Sequence, residues 1–212
     1  MSFSLQDFHE LKAVFQETLY SRDGEPVSCQ LYGCTNATGA LHLTFEGVEE
    51  QHLHIAEACN IASVINSIMR LLSLPRSNVA CEELSEILIL RLDILREYIH
   101  ATAKGSKLFQ YQPSEADKVV QRWAGFLKHP SQYVFAHHCF TKPELSLFPE
   151  FVEIDSEFLA RWEGLSNVDK DKRKGELAHS LVSVTLPSTT LLKAFFASCA
   201  NHVDSLIKSS TP

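Results

Sequence analysis

Apolar positions along the chain fall into two periods. Leu5, Phe8, Leu11, Phe15 and Leu19 recur every three or four residues, the spacing of one helix face, and Ser4 stands where an N-cap hydroxyl is needed. Arg22-Asp23-Gly24-Glu25-Pro26 then reads as a turn. Val27, Cys29 and Leu31 alternate with polar residues, as do Leu41, Leu43 and Phe45, so a β-hairpin is expected around the Gly33–Gly39 loop. The helical period returns from about Glu49 to Leu74, where Pro75 stops it because proline lacks the N–H that the ladder requires.

Ser77 or Asn78 can cap a second long helix ending at Gly105. Its apolar surface is broad: Leu84, Ile87, Leu88, Leu92, Leu95, Tyr98 and Ile99 leave only Glu86, Asp93, Glu97 and His100 as a polar stripe. A helix this apolar should be central. Ser114 caps another helix that closes at Pro130. A strand-like run follows from Tyr133 to Phe140, then a strand at Phe151–Ile154 and a short helix at Ser156–Glu163. The mixed-charge run Asp169–Gly175 predicts an exposed loop. A strand over 181–186 and a final helix from Thr189 to about Lys208 complete the pattern.

The fold expected is a mainly helical α+β domain over 1–212, a bundle of about five to six helices with a β-hairpin and a few short strands. It divides into an N-terminal helix plus hairpin (1–48), central helices (49–130) and a mixed C-terminal part with the final helix (131–212).

Composition narrows the class without naming it. Hydrophobic residues at 45% and charged residues at 21% fit a packed globular chain. The net charge of −7 argues against a surface that binds nucleic acid throughout, while leaving room for a local basic patch. No apolar run approaches a bilayer span, and the first residues lack the basic and apolar regions of a signal peptide, so a cytoplasmic protein is expected. The six cysteines are scattered, as suits reduced thiols in a core.

Chemistry concentrates between Arg122 and Cys139, which holds three of the ten histidines and one of the two tryptophans. Arg122 and His129 lie seven residues apart, about 20° short of two full helical turns, so both belong to one face. Gly125 lies between them and Lys118 one turn before. This makes a basic face with a gap that could admit a substrate or a partner helix, a candidate interaction face. The plainer reading is a solvated arginine and a helix-terminal histidine suited to the dipole. A further constellation, Cys29 and Cys34 with His137 and Cys139, has the ligand types for structural zinc. The stronger expectation is no metal and no other cofactor, there being no phosphate-binding glycine loop.

An arginine, six residues and a histidine on a helix resemble the motif of the HEPN superfamily (higher eukaryotes and prokaryotes nucleotide-binding). The resemblance implies a helical protein, in many members a metal-independent ribonuclease of prokaryotic antiviral systems with its site formed across a dimer. On it, Arg122 would hold the scissile phosphate and His129 would transfer protons. Two functions are therefore carried forward. One is a non-enzymatic helical interaction or accessory subunit of a larger multi-protein complex, such as a prokaryotic antiviral defence assembly, with a protein partner or a second copy and no membrane. The other is a HEPN-like ribonuclease acting on RNA.

Overall fold

The computed structural model describes residues 2–29, 50–75, 77–105, 111–129, 151–177 and 180–210. Seven helices and two strands occur there, in the order α1 (Leu5–Leu19), α2 (Glu50–Leu72), α3 (Asn78–Gly105), α4 (Glu115–Lys128), β1 (Phe151–Ile154), α5 (Ser156–Glu163), α6 (Asn167–Leu177), β2 (Leu181–Val184) and α7 (Thr189–Ser210). The protein is mainly helical α+β.

Local chemistry sets the helix starts. Ser4 and Ser114 each form a reciprocal capping box, with Asp7 and Asp117 respectively. The α1 stripe is buried at Phe8, Leu11, Phe15 and Leu19, and Phe15 meets Phe196 of α7 edge to face at 5.0 Å. Each fully buried side chain of this size stabilises the fold by roughly 1.5–3 kcal/mol. The most apolar helix, α3, packs against α1, α2, α4 and α7. It is central, as its pattern requires.

One member of the α3 polar stripe departs from expectation. Glu86, Glu97 and His100 face solvent, but Asp93 is buried. Arg96 Nε donates to Asp93 Oδ1 at 2.9 Å, and Lys128 Nζ of α4 donates to Asp93 Oδ2 at 2.9 Å. Approach of α4 covers that side of α3, so the carboxylate needs both cations.

The strands β1 and β2 pair in parallel, Phe151 beside Leu181 and Ile154 beside Val184. They are joined through α5 and α6, and α5 packs on β1 and on α4. Parallel strands cannot be joined by a tight turn, so a long crossover is required, and here it contains two helices.

Three expectations change. The run Asp169–Gly175 is not a loop but most of α6. Ser166 supplies the start, its hydroxyl donating to Asp169 Oδ2 at 2.6 Å and accepting from Asp169 N–H at 3.2 Å, and Lys174 lies 3.6 Å from Asp171. Lysine, arginine and glutamate are good helix formers, so polarity alone did not argue against a helix. This helix is why seven appear where five to six were expected. Val27–Cys29 form a 3₁₀ turn closed by Cys29 N–H to Pro26 O at 2.9 Å, not the start of a strand. Pro26 instead bridges Tyr20 in antiparallel fashion. The rest of the expected hairpin and the Tyr133–Phe140 run lie outside the described residues.

Candidate functional site

The α4 face predicted to be basic does border a cleft. Its apolar side, with Val119, Val120, Trp123 and Phe126, is buried. Trp123 is fully enclosed, edge to face with Phe126 at 5.6 Å. Its indole N–H donates to Ser156 Oγ at 3.0 Å, which ties the start of α5 to α4. Asp155 caps α5 by accepting from Phe158 N–H at 2.7 Å. With α5 fixed in this way, its last residue, Glu163, comes alongside Arg122.

A cleft of about 630 Å³ opens between α4, α5 and α6. Gln121, Arg122 and Gly125 come from α4, Leu159, Trp162 and Glu163 from α5, and Asn167, Lys170, Asp171 and Lys174 from α6. Trp162 is itself stacked on Phe158 at 5.7 Å, so the α5 wall is held by packing.

Arg122 is engaged on both sides. Its Nε donates to Glu163 Oε2 at 2.6 Å and its Nη1 to Glu115 Oε1 at 2.9 Å. The arginine side chain is 16% exposed, while those of Glu115 and Glu163 are 67% and 63% exposed. Partial burial works against the guanidinium charge, but the hydrogen bonds it donates to Glu163 and then to Glu115 outweigh it, and its pKa lies above the ordinary value. In return, the hydrogen bond from Arg122 holds the Glu115 carboxyl below its usual range. The ammonium of Lys170 has no ion-pair partner among the described residues, whereas Lys174 is beside Asp171.

The other expected site residues sit as follows. Lys118 is exposed, 3.5 Å from Glu115, and is not part of the cleft lining. His129 lies just past the last helical residue, with φ −138° and ψ 56°. Its N–H donates to Gly125 O at 3.0 Å, its side chain is exposed, and it does not line the cleft. The following proline disfavours helical backbone at residue 129, which takes the histidine off the helical face shared by Arg122 and Gly125. The structure thus brings Arg122 and Gly125 together and leaves His129 outside the cleft. Of the candidate zinc ligands only Cys29 is described, half-buried at the end of its 3₁₀ turn. Cys34, His137 and Cys139 lie outside the described residues. Among the described residues, no three histidine, cysteine or acidic side chains are grouped to hold a metal ion, and no helix is long and apolar enough to cross a membrane.

Sequence reasoning missed Glu115, Glu163, Trp162, Lys170 and Lys174. Glu115 was within reach, because it stands seven residues before Arg122 on the same face.

Fold and site define a mainly helical α+β protein with a polar, cation-bearing cleft on an apolar wall. No family model matches the chain, and no curated protein or solved structure matches it either.

Proposed function

We propose that this protein is a non-enzymatic interaction subunit, and that the α4–α5–α6 cleft receives an acidic segment of a partner protein. One observation carries the reading. The cleft sets Gly125, which has no side chain to obstruct it, beside the already fixed Arg122 and the unpartnered cation of Lys170. A clamped arginine gives a rigid wall, and a lysine without a carboxylate gives an attraction for one. The Glu115 and Glu163 carboxylates are mostly exposed, so an incoming carboxylate can compete for Arg122 at modest cost.

The alternative is the HEPN-like ribonuclease. It has one observation in its favour: Arg122, Lys170 and Lys174 place three cations in one cleft, suited to a phosphate backbone. It also requires His129 to reach the cleft from beyond the helix end.

Calorimetric titration with hexaglutamate and with a short single-stranded RNA separates the two. The interaction reading expects peptide binding that weakens at least about fivefold in Gly125→Leu and in Lys170→Glu, with RNA left intact. RNA cleavage lost in both Arg122→Ala and His129→Ala, where general acid–base loss is worth ~10²–10⁴-fold, would establish the ribonuclease instead. No peptide binding and no cleavage would remove both.

A further inference from the structure

The solvent side of α3 carries a second, separate pattern. Leu84, Ile87, Arg91, Ile94, Tyr98 and Ala101 follow one another at alternating three- and four-residue steps, the repeat of a helix-pairing seam. Ile87 and Tyr98 are 43% and 39% exposed, and Leu84 and Ile94 are only partly buried against the core. None of the six lines the α4–α5–α6 cleft. Along the edge of this seam run Glu83, Leu90, Glu97 and Lys104, seven residues apart. Glu83, Arg91 and Lys104 are exposed, and none has an ion-pair partner among the described residues. Apolar side chains left in water beside three unpaired charges are what half of an interface looks like when viewed alone.

The order of residues selects the occupant. We propose that α3 pairs antiparallel with α3 of a second copy of this chain. A two-fold axis through the middle of the seam sets Leu84 opposite Ala101 of the second copy, Ile87 opposite Tyr98 and Arg91 opposite Ile94, then repeats these layers in reverse. Every seam residue is matched within the same set of six, as an isologous interface demands. Large faces small at the ends, and no charge faces a like charge. On the edge, Glu83 falls opposite Lys104 of the second copy, and Lys104 opposite its Glu83, so two ion pairs form by symmetry. A parallel arrangement fails on the same residues. It would stack Arg91 on Arg91 in the seam and leave the Glu83 and Lys104 edges of the two copies on opposite sides, with no ion pair between them. The paired stretch from Leu84 to Ala101 spans about 26 Å at 1.5 Å per residue. This surface goes beyond the partner cleft and stands independently of it.

Sedimentation equilibrium of the full chain across a concentration series tests the pairing, the monomer being 23.8 kDa. The wild type is expected to dimerise reversibly. Glu83→Lys alone and Lys104→Glu alone each set like charges opposite one another twice and should weaken the dimer about tenfold, from two exposed pairs at roughly 0.5–1 kcal/mol each. The exchange Glu83→Lys/Lys104→Glu should restore it to within about threefold of wild type, because the two signs are only traded. All three positions of change are solvent-facing, and Ile87→Asp, at an exposed position, should abolish association while circular dichroism stays unchanged. A chain that remains monomeric at every concentration overturns the proposal. So does a dimer indifferent to the single charge reversals, or one that the double exchange fails to rescue.

Discussion

Arg96 and Arg122 both hold carboxylates, and their surroundings differ. Arg96 lies in the α3–α4 interior, 7% exposed, with Asp93 at 2% and Lys128 closing the other carboxylate oxygen. Arg122 lies at the rim of a cleft, with two glutamates that are mostly in water. The same chemistry has two consequences. Within the core, neither partner can leave without stranding a charge at low dielectric. At the rim, a carboxylate that lets go of Arg122 is at once hydrated, so the arginine can change partners. The first arrangement locks two helices together; the second leaves an arginine able to exchange carboxylates at the surface.

Removing a partner from each arginine sharpens that contrast. The largest effect is expected at the core. Asp93→Ala leaves Arg96 buried without its carboxylate and should cost about 3–5 kcal/mol in equilibrium denaturant unfolding. Replacing both, as Asp93→Leu/Arg96→Met, should recover much of that loss, because no buried charge is then left unpaired and Lys128, 40% exposed, can turn to water. If the single change cost no more than a surface substitution, the core pair would not hold the helices as described.

A second buried carboxylate gives an intermediate case. Asp117 Oδ2 accepts from Ser114 N–H, from the Ser114 hydroxyl and from the Ser198 hydroxyl of α7, each at 2.7 Å. One oxygen thereby closes the α4 cap and ties it to α7. Asp117→Ala should cost about 1–3 kcal/mol by the same unfolding measurement, from the lost cap and a hydroxyl left without its acceptor. Asp117→Asn keeps an acceptor oxygen and should cost less than the alanine change.

The smallest effect belongs to the rim. Glu163→Gln weakens one exposed pair and should change stability by less than about 1 kcal/mol. It should also strengthen hexaglutamate binding, since Arg122 loses one competing carboxylate. The pH dependence follows from Glu115, whose folded pKa is lowered from 4.5, first by the Arg122 hydrogen bond. A lowered carboxyl contributes stability that is fully present above its unfolded value and is lost as pH falls through its lower folded value. The Arg122–Glu115 contact should therefore persist at neutral pH and loosen below about pH 4.5. Following the Glu115 carboxyl carbon by NMR checks this, and a midpoint at or above the ordinary value would contradict it.

How much of this was legible in the sequence depends on how far each partner lies along the chain. The capping serines Ser4 and Ser114 were legible, because a cap is made with an acid three residues on. The shared face of Arg122 and Gly125 was legible too, since helical period alone decides it. Glu163 was not: it comes from another helix, 41 residues after Arg122, and the packing of α5 on α4, with its Trp123–Ser156 tie, brings it close. Asp93 was hidden for the same reason, its Lys128 partner being 35 residues away. Lys170 and Lys174 were lost with the reading of their segment as a loop. That reading took a charged stretch for an unstructured one, although Ser166 and Asp169 already carried a helix-start signal. His129 shows the converse error: the seven-residue spacing counted only if the helix continued through it.

Docking of carboxylates in the α4–α5–α6 cleft, as proposed, would be felt by the side chains that line it. The most direct measurement is a two-dimensional NMR titration of the labelled full chain with hexaglutamate. The two indole N–H signals report on different surroundings, since Trp123 is buried on Ser156 and Trp162 lines the cleft. The Trp162 indole and the amides of Gln121, Gly125, Asn167 and Lys170 are expected to shift together in a saturable way, with Trp123 staying still and Gly125→Leu suppressing the response. Shifts scattered over the surface, or none in the cleft at saturating peptide, would contradict it.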